Sequence, residues 1–289
     1  MITRPMLAAT IKNLSDIKYE ILCSKKIDGI RIMKINDEIV TRKFKHLPNH
    51  FIRNELKAIL PNGSDGEIIG TSKENFNATQ SAVMSFDGQP IYHYLMFDYV
   101  KDSLNTPYKE RMKDMVEWYE NNKHTNVKLV LPFKIQNEEE LLSFEQCCLA
   151  EGYEGVMIRK PDGPYKCNRS TVKEGYLMKL KRFQDSEAII INFEEKLTNT
   201  NEKEKDEFGL SKRSSKKEGL VGANTLGSLI VRNEEGLEFG VGSGFDDELK
   251  SEIWANRDKW LGKTITYKHQ LCGAKELPRF PVYKAVRMD

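Results

Sequence analysis

The hexapeptide Lys26-Ile27-Asp28-Gly29-Ile30-Arg31 is the stretch from which the rest of the chain is interpreted. In it a lysine precedes an Asp-Gly turn and an arginine follows. It belongs to residues 20–42, where apolar and polar positions alternate around the turn-forming pair Asn36-Asp37. A period of two predicts adjacent antiparallel strands rather than a helix. Lys26 is therefore expected within or beside the first of these strands.

A second tetrapeptide of the same form, Lys160-Pro161-Asp162-Gly163, shows how weak the short pattern is by itself. By average residue usage, KxDG should occur by chance in roughly one chain in fifteen of this size. The second copy has Tyr165 where the arginine would stand, and a proline inside the turn. We predict a structural role for this copy and a chemical role for the first. For Lys26 too, a surface lysine at a turn is the simpler alternative.

Length and composition predict two packed domains. The chain has 289 residues, of which 39% are apolar and 30% charged, as in ordinary globular proteins. Its 45 basic and 43 acidic side chains leave a net charge of only +2. Affinity for a polyanion must therefore come from where the charges lie. Five cysteines without CxxC spacing, and no segment long enough to span a membrane, predict a reduced, cytoplasmic location.

The order of the predicted elements divides the chain into domains at 1–184 and 185–289. The first mixes strands with helices without a regular βαβ alternation, which indicates an α+β domain. Asn49 and Asn137 are predicted to cap two of these helices, and Pro107 is predicted to lie in the first turn of another. The second is predicted to be an all-β OB fold with one helix. Its strands are expected at 187–193, 227–233, 236–242, 262–269 and 282–287, and its helix at 246–257. A polar, lysine-rich insertion at about 198–222 separates the first two strands, and its simplest interpretation is a solvated, disordered loop.

The proposed chemistry of Lys26 requires an unusual environment. A free lysine with a pKa near ~10.4 is charged at neutral pH, and the ammonium group cannot attack phosphorus. Lowering that pKa by about three units corresponds to about 4 kcal/mol. Neighbouring cations such as Arg31, together with a bound divalent metal, would disfavour the charged amine. We therefore expect Lys26 to lie among positive charges.

Four further fragments follow along the chain: Asp65-Gly66-Glu67, Phe97-Asp98, Glu154-Gly155-Val156 and Lys179-Leu180-Lys181. A carboxylate such as Glu67 can hold a ribose hydroxyl, and an aromatic face such as Phe97 can stack on adenine. Glu154 can bind Mg²⁺. Strand alternation puts Lys179 and Lys181 on one face, where they could hold an α-phosphate. Each fragment taken singly is unremarkable, so the argument depends on their number and order.

Together these fragments resemble the small ATP-dependent DNA ligases of viruses. The similarity covers nearly the whole chain, including residues 41–45, 64–67, 81–84, 154–159, 161–167 and 278–282. The resemblance implies a nucleotidyltransferase (adenylation) domain followed by an OB-fold domain. It also implies a monomer that clamps around nicked duplex DNA and joins the 3′-hydroxyl to the 5′-phosphate through a lysyl-AMP intermediate. The cofactors so implied are ATP and Mg²⁺, with Mn²⁺ as a substitute.

The resemblance also implies roles for individual residues. The catalytic set is Lys26, Asp28, Arg31, Lys179 and Lys181. The nucleotide-binding set is Ser24, Arg31, Arg42, Glu67, Phe97, Glu154, Lys179 and Lys181, of which Glu67 and Glu154 would also bind the metal. The insertion at 198–222 resembles the latch with which such ligases close around DNA, and we call it the latch. The DNA-binding set is Arg42 with Lys212, Arg213, Lys216 and Lys217 of the latch.

Other functions remain open at this point. An RNA ligase or a GTP-using capping enzyme would share the lysine chemistry and differ in substrate. A non-catalytic OB-fold protein would use the same residues only as a basic surface for nucleic acid. Labelled ATP against GTP, and nicked DNA against RNA, separate the first alternatives. Failure to form an acid-labile adenylate would favour the last.

Overall fold

The computed structural model describes residues 2–70, 81–205, 211–214, 216–270 and 277–287. The chain divides into two compact units, Met1–Arg182 and Phe183–Asp289, each of which is described by itself. The sequence pattern predicts a division two residues further along. None of the helices in the described ranges is long and apolar enough to cross a membrane.

The described helices and strands of unit one follow one another in the order β1 Met6–Leu7, β2 Ala9–Thr10, β3 Ile21–Lys25, β4 Ile30–Ile35, β5 Glu38–Thr41, α1 His50–Ile59, β6 Ser64–Gly70, β7 Tyr92–Tyr99, α2 Tyr108–Asn121, β8 Val127–Leu129, β9 Phe133–Ile135, α3 Glu138–Ala150, β10 Val156–Arg159, β11 Asn168–Arg169 and β12 Leu177–Leu180. This mixture of helices and mostly antiparallel strands confirms the predicted α+β class.

Two five-stranded sheets form the body of unit one. Sheet one has the strand order β2-β12-β10-β3-β9, and sheet two has the order β5-β4-β6-β7-β8. The turn at Asn36 and Asp37, with φ of 51° and 62°, joins the paired strands β4 and β5 as predicted. The prediction that β3 lies beside them is wrong, because β3 belongs to sheet one. Alternation of apolar and polar residues indicates that a segment is a strand, but it does not indicate with which other strand the segment pairs.

The helices of unit one begin at capping residues. Asn49 accepts a hydrogen bond from the Ile52 amide at 2.9 Å, and Asn137 accepts one from the Glu140 amide at the same distance. Both asparagines thereby satisfy amides that the first turn of a helix leaves without partners. Pro107, predicted inside the first turn of α2, is instead the cap that precedes it.

Each sheet of unit one buries one face against helices. Ile52 and Leu56 of α1 and Met112 of α2 pack on sheet two, in one core with Tyr94. Helix α3 packs on sheet one through Leu141 and Cys148. A further buried cluster, which includes Met6, Met33, Tyr165 and Leu177, contains side chains from both sheets. Each such apolar side chain contributes about 1.5–3 kcal/mol by leaving water.

The described elements of unit two are β13 Gln184–Asn199, β14 Lys203–Lys205, β15 Ser211–Arg213, β16 Leu220–Asn233, β17 Glu238–Val241, α4 Asp247–Ala255, α5 Arg257–Trp260, β18 Thr264–Gln270 and β19 Arg279–Val286. A 3₁₀ turn at Lys217–Gly219 precedes β16.

Five of these strands form the predicted OB barrel, in the order β17-β16-β13-β18-β19. A parallel bridge between Ser243 and Val282 joins the two outer ends of the sheet. The Tyr283 amide donates to the Ser243 carbonyl at 2.8 Å beside that bridge. Helix α4 begins after Asp246, whose side chain accepts from the Leu249 amide at 2.7 Å. Ile253 of α4 is buried with the barrel core.

The latch starts as a continuation of two barrel strands. Strands β13 and β16 stay paired from Ala188 and Asn233 to Asn199 and Leu220, so both run beyond the ends predicted for them. Beyond them, β14 and β15 form a two-stranded antiparallel hairpin in which Lys203 pairs with Arg213. The described part of the latch is thus built largely from strands, with the 3₁₀ turn at Lys217–Gly219 before β16. Phe208, Gly209 and Ser215, through which the resemblance also runs, lie outside the described residues.

Candidate active site

A cavity of about 740 Å³ lies between the two sheets of unit one. That volume is in the range of a small-molecule or cofactor site. Of the predicted catalytic and nucleotide-binding residues, seven line it: Ser24, Lys26, Arg31, Arg42, Glu67, Phe97 and Lys179. Glu154 and Lys181 are not part of its lining. Predicted site residues from five strands, namely β3, β4, β6, β7 and β12, therefore line the same cavity.

Lys26 is the first residue after β3, and its backbone is tied to another predicted fragment. Its amide donates to the Gly155 carbonyl at 2.9 Å, and its carbonyl accepts from the Glu154 amide at 3.3 Å. Its ammonium group is paired with the Glu154 carboxylate, which also accepts from Lys181 Nζ at 3.0 Å. Burial raises the pKa of Glu154, but Lys26 and Lys181 outweigh it and hold that pKa below its ordinary value. Three fragments thus form one ion-paired cluster beside the cavity.

The glycine of KxDG is required by close packing between the sheets. A Cβ at Gly29 would lie 2.4 Å from the Ile68 carbonyl oxygen and 2.8 Å from Glu67 Cγ, both in β6. Only a residue without a side chain lets the crossing segment 26–29 press against sheet two. Asp28 does not line the cavity, but its charge acts on the carboxylate of Glu67. The tetrapeptide is the point at which the chain leaves one sheet and enters the other.

Arg31 is fixed by a buried carboxylate. Its Nε and Nη2 donate to Asp65 at 2.8 and 2.6 Å, and its Nη1 donates to the Met6 carbonyl at 2.6 Å. Asp65 is fully buried and also accepts from the Tyr165 hydroxyl at 2.8 Å. Burial opposes the charge of Arg31, but Asp65 raises its pKa above the ordinary value. Three of the five N–H donors of this guanidinium are used within the protein, which leaves two for a ligand.

Phe97 reaches the cavity through an irregularity in sheet two. Asp65 pairs with Asp98 and Gly66 pairs with Met96, so Phe97 is an extra residue in β7 at a β-bulge. Bulges of this kind redirect a side chain next to a site. The Arg31 guanidinium lies 5.6 Å from the centroid of the Phe97 ring, and that of Arg159 lies 6.0 Å from it.

A second buried ion cluster holds the strand on which Phe97 lies. Asp98 is fully buried, accepts from Arg111 Nε at 2.7 Å and pairs with Arg159 Nη1 at 2.8 Å. Burial raises the pKa of Asp98, but Arg159 and Arg111 more than offset it and lower the pKa below its ordinary value. Arg111 Nη1 also donates to the Gly163 carbonyl at 3.2 Å. The cluster thus joins β7, α2, β10 and the turn after β10.

Glu67 is the cavity carboxylate with the most altered acidity. Burial raises its pKa to about 7, although the charges of Lys26 and Arg31 act in the opposite direction. Glu67 is therefore close to half protonated at neutral pH in the protein alone. Because a bound cation would favour the ionised carboxylate, this residue is poised to change its charge when a ligand arrives.

Positive charge is concentrated around Lys179 in the cavity lining. Burial together with Lys26, Arg169 and Arg42 lowers the pKa of Lys179. All four side chains line the cavity. Cations that repel a neighbouring cation gain from a polyanionic ligand, so this part of the lining suits a triphosphate.

The sequence assigned no role to several residues that shape this site. Arg169 and Arg159 line the cavity, and Arg169 also donates to the Ala8 carbonyl at 2.7 Å. Arg111, a helix residue, binds Asp98 from outside every predicted fragment. No spacing in the sequence marks them. Arg111 and Arg159 are buried, which is unusual for arginine, but that burial is visible only in the structure, and Arg169 is exposed.

The second KxDG copy lies at the start of α2. The Tyr108 amide donates to the Gly163 carbonyl and the Lys109 amide to the Pro161 carbonyl, both at 2.9 Å. Lys109 Nζ also pairs with Asp162 at 2.6 Å. The turn thereby satisfies amides at the beginning of the helix. Tyr165, at the position that corresponds to the arginine, supports Asp65 and through it Arg31 of the first copy.

The predicted DNA-binding residues of the latch fall into three cases. Lys216 and Lys217 are exposed. Arg213 Nη1 donates to the carbonyls of Asn199 at 3.0 Å and Asn201 at 2.8 Å, so this guanidinium binds the protein itself. The backbone of Lys212 lies in β15, but its side chain lies outside the described part of the chain.

Comparison with known families agrees with this geometry. The model of the ATP dependent DNA ligase domain matches residues 5–181, and that of the DNA ligase OB-like domain matches residues 221–287. The chain belongs to the ATP-dependent DNA ligases. It is accordingly a covalent nucleotidyltransferase with an adenylation domain and an OB-fold domain, and the RNA ligase, capping-enzyme and non-catalytic alternatives are not favoured.

Individual ligases extend the likeness over the whole chain. The crystal structure of the Chlorella virus DNA ligase-adenylate is 37% identical, covers 99% of this chain and 100% of its own, and superimposes with a TM-score of 0.60. A Lig E DNA ligase structure has a TM-score of 0.74 at 23% identity over 99% of this chain and 100% of its own, which supports the fold. The DNA ligase of Haemophilus influenzae is 26% identical over 265 residues, 90% of this chain and 84% of the relative.

Proposed function

We propose that this ligase seals nicks between a 3′-hydroxyl and a 5′-phosphate in duplex DNA after attaching AMP to Lys26. The observation that carries the proposal is the meeting of five separated fragments around one cavity. Lys26 lies at its wall, in contact with Glu154 and beside the cations that influence Lys179. Lys26 is the first residue of the segment that leaves sheet one for sheet two, and it stands at the lysine position of the KxDG pattern.

The chemistry has three steps. In the first, the neutral Lys26 amine attacks the α-phosphorus of ATP, its proton leaves to solvent, the bond to pyrophosphate breaks, and a phosphoramidate forms. In the second, an oxygen of the 5′-phosphate at the nick attacks the same phosphorus and the P–N bond breaks, which regenerates the lysine. In the third, the 3′-hydroxyl attacks the 5′-phosphate, loses its proton and displaces AMP. The ion pair between Lys26 and Glu154 must open before the first step.

The cavity residues are assigned by their chemistry. Phe97, backed by two guanidinium groups, stacks on adenine, and Ser24 of β3 contacts the base edge. Glu67 accepts from a ribose hydroxyl. Arg42, Lys179 and Lys181 bind phosphate oxygens, and Arg42 also contacts the nick. Arg31, held by Asp65, offers its two remaining N–H donors to the nucleotide or the nick phosphate. Asp28 acts electrostatically on Glu67.

A divalent cation is part of the proposal. Mg²⁺ usually takes one or two carboxylates and completes its shell with substrate phosphates and water. Glu67 and Glu154 supply that number of carboxylates, and within the described residues no group of three or more His, Cys, Asp or Glu offers a full protein cage. The residues therefore fit Mg²⁺, or Mn²⁺ in its place, beside a triphosphate. When bound, the metal neutralises charge that develops on the phosphates.

Duplex DNA is the proposed partner, bound by a monomer that closes its latch around the nick. Exposed Lys216 and Lys217, with Lys212, would contact phosphates without reading sequence. A cytoplasmic site of action stays a prediction from the cysteines, of which Cys23, Cys147, Cys148 and Cys167 are free thiols.

The decisive experiment uses labelled ATP with Mg²⁺. The wild type should form an acid-labile AMP adduct that peptide mapping assigns to position 26, and it should seal a nicked duplex. Lys26→Ala should form no adduct and seal nothing, because the variant lacks the amine that is proposed to attack the α-phosphorus. Lys160→Ala, in the second KxDG copy, is the matched control and should label normally. Labelling that persists in Lys26→Ala, or that moves to Lys160, would overturn the assignment, as would labelling from GTP at the rate of ATP or a preference for nicked RNA.

The latch has its own test. Replacing residues 202–217 by a Gly-Ser pair leaves the paired ends of β13 and β16 in place. The variant should still label itself with AMP but should bind a nick more weakly and with a smaller dependence on salt, because fewer phosphates are neutralised. Equal nick affinity at every ionic strength would contradict the proposed role.

A further inference from the structure

The base of the latch is closed by hydrogen bonds within the protein. We call this part, residues 199–201, 213–214, 216 and 219, the latch foot. Arg213 Nη1 donates to the carbonyls of Asn199 at 3.0 Å and Asn201 at 2.8 Å. Although its side chain is exposed overall, Arg213 thus binds two carbonyls on the outgoing strand of the latch. One guanidinium nitrogen holds β15 against the end of β13.

Asparagine side chains complete the contact in the other direction. Asn201 Nδ2 donates to the carbonyls of Ser214 at 2.9 Å and Lys216 at 3.0 Å. Asn199 Nδ2 donates to the same Ser214 carbonyl at 2.8 Å. The outgoing chain therefore binds the returning chain through side-chain amides, while the returning chain binds the outgoing one through Arg213. The two sets of bonds are reciprocal.

Thr200 and Gly219 form a further contact between the two chains of the latch foot. The amide and the hydroxyl of Thr200 both donate to the Gly219 carbonyl, at 2.8 and 2.9 Å. A Cβ at Gly219 would lie 2.1 Å from Asn201 Oδ1, so the asparagine occupies the space that a side chain would need. The packing at this point is as close as at the turn beside Lys26.

We propose that Arg213 is a positioning residue that holds the latch foot closed before DNA arrives, rather than a phosphate contact. The inference rests on the proposed role of the latch in nick binding and reassigns one of its four cations. A foot that is already ordered lowers the entropy lost on binding, so it raises affinity without neutralising a phosphate. Lys216 and Lys217, which are exposed, keep the electrostatic role.

Salt dependence separates the two roles. Each phosphate contact contributes about 0.9 to the slope of log affinity against log salt on B-DNA. A residue that acts only through the foot changes affinity by the same factor at every salt concentration. Arg213→Gln and Lys217→Gln each exchange one positive charge for an amide, so they are a matched pair. Asn201→Ala breaks the same foot and alters no charge.

The experiment measures affinity for a nicked duplex between low and moderate salt. Arg213→Gln and Asn201→Ala should each weaken binding about 5- to 10-fold with the wild-type slope, while Lys217→Gln should reduce the slope by about 0.9. Melting temperatures close to that of the wild type check that all variants are folded. If Arg213→Gln reduces the slope as Lys217→Gln does, and Asn201→Ala binds like the wild type, then the proposal is wrong.

Hydrogen exchange tests the foot without DNA, and so independently of the proposed function. In the free wild-type ligase the amides of Thr200 and Asn201 should be protected, and they should exchange at least about 10-fold faster in Arg213→Gln and Asn201→Ala but not in Lys217→Gln. If these amides are unprotected in the wild type, the proposal is wrong, regardless of whether the latch binds DNA. Another outcome is that the amides behave as expected while replacement of residues 202–217 leaves nick binding unchanged. That result would support the closed latch foot and contradict the proposed role of the latch in DNA binding.

Discussion

The cavity of unit one and the latch of unit two both carry cations suited to phosphate, but they hold them differently. In the cavity, Arg31 is bound by Asp65, Arg159 by Asp98, and Lys26 and Lys181 by Glu154, and all three carboxylates are buried. In the latch, Lys216 and Lys217 are exposed to solvent. Cations that are paired with buried carboxylates are held in fixed positions, as catalysis at phosphorus requires. Exposed charges give affinity that tolerates movement, as binding along a DNA backbone requires.

The comparison predicts its largest effect at Asp98. Asp98→Asn leaves Arg111 and Arg159 buried without their countercharge, which should cost about 3–5 kcal/mol in the free energy of unfolding. Asp162→Asn removes a carboxylate whose partner, Lys109, is exposed, and should have a far smaller effect on the free energy of unfolding. Urea unfolding of both variants at neutral pH measures the difference. Similar losses in the two variants would mean that burial does not distinguish the ion pairs of this protein.

A smaller effect, dependent on pH, is expected at Glu67. Its pKa is about 7 in the folded protein and near 4.5 when unfolded, so between these values the folded state binds more protons. Stability contributed by this group is therefore lost as the pH rises from about 4.5 through 7. Glu67→Gln should consequently gain stability over the wild type, on the order of 2 kcal/mol more at pH 8 than at pH 5.

A carboxylate of the opposite kind is the control for Glu67. Hydrogen bonding to Lys166 lowers the pKa of Glu174, so its contribution is present above its unfolded pKa. Glu174→Gln should therefore lose stability at pH 8 rather than gain it. Melting temperatures at the two pH values test both signs, and a Glu67→Gln gain that is independent of pH would exclude the altered acidity of the cavity carboxylate.

The smallest effects are expected at the exposed latch cations, and they should add. Lys216→Gln and Lys217→Gln should each reduce the salt slope of nick binding by about 0.9, and the double variant by about 1.8. Independent exposed sites combine additively, whereas residues in one buried network do not. Fluorescence titration of a labelled nick over a range of salt checks this. A double variant no worse than either single one would show that the two lysines share one phosphate.

The contrast also explains what the sequence could predict. The KxDG segment, the caps Asn49 and Asn137, the hairpin at Asn36-Asp37 and the five strands of the barrel are local patterns, and each is found in the structure. The partner of β3 was missed because pairing is not local. The bulge that brings Phe97 into the cavity was missed because an extra residue leaves no mark in a short alternating run.

The same limit applies to the site. The sequence identified site residues in the fragments that resemble DNA ligases, and seven of these residues line the cavity. Arg111, Arg159 and Arg169 were not, since their roles depend on buried carboxylates and carbonyls contributed by distant segments. Arg213 was assigned by charge alone, and the two carbonyls that it binds become visible only when β13 and β15 are brought together.

The length of β13 has a mechanical consequence. It contains 16 residues, which at about 3.3 Å per residue extend roughly 50 Å, and its pairing with β16, shifted in register at three places, runs from the barrel to the latch foot. A pull on the latch draws both strands in the same direction, so it loads lengthwise the hydrogen bonds from β13 to β18 and from β16 to β17, which resist together instead of opening one after another. The latch and the barrel sheet should therefore move together, so that tension along bound DNA would be transmitted to the strands of the barrel.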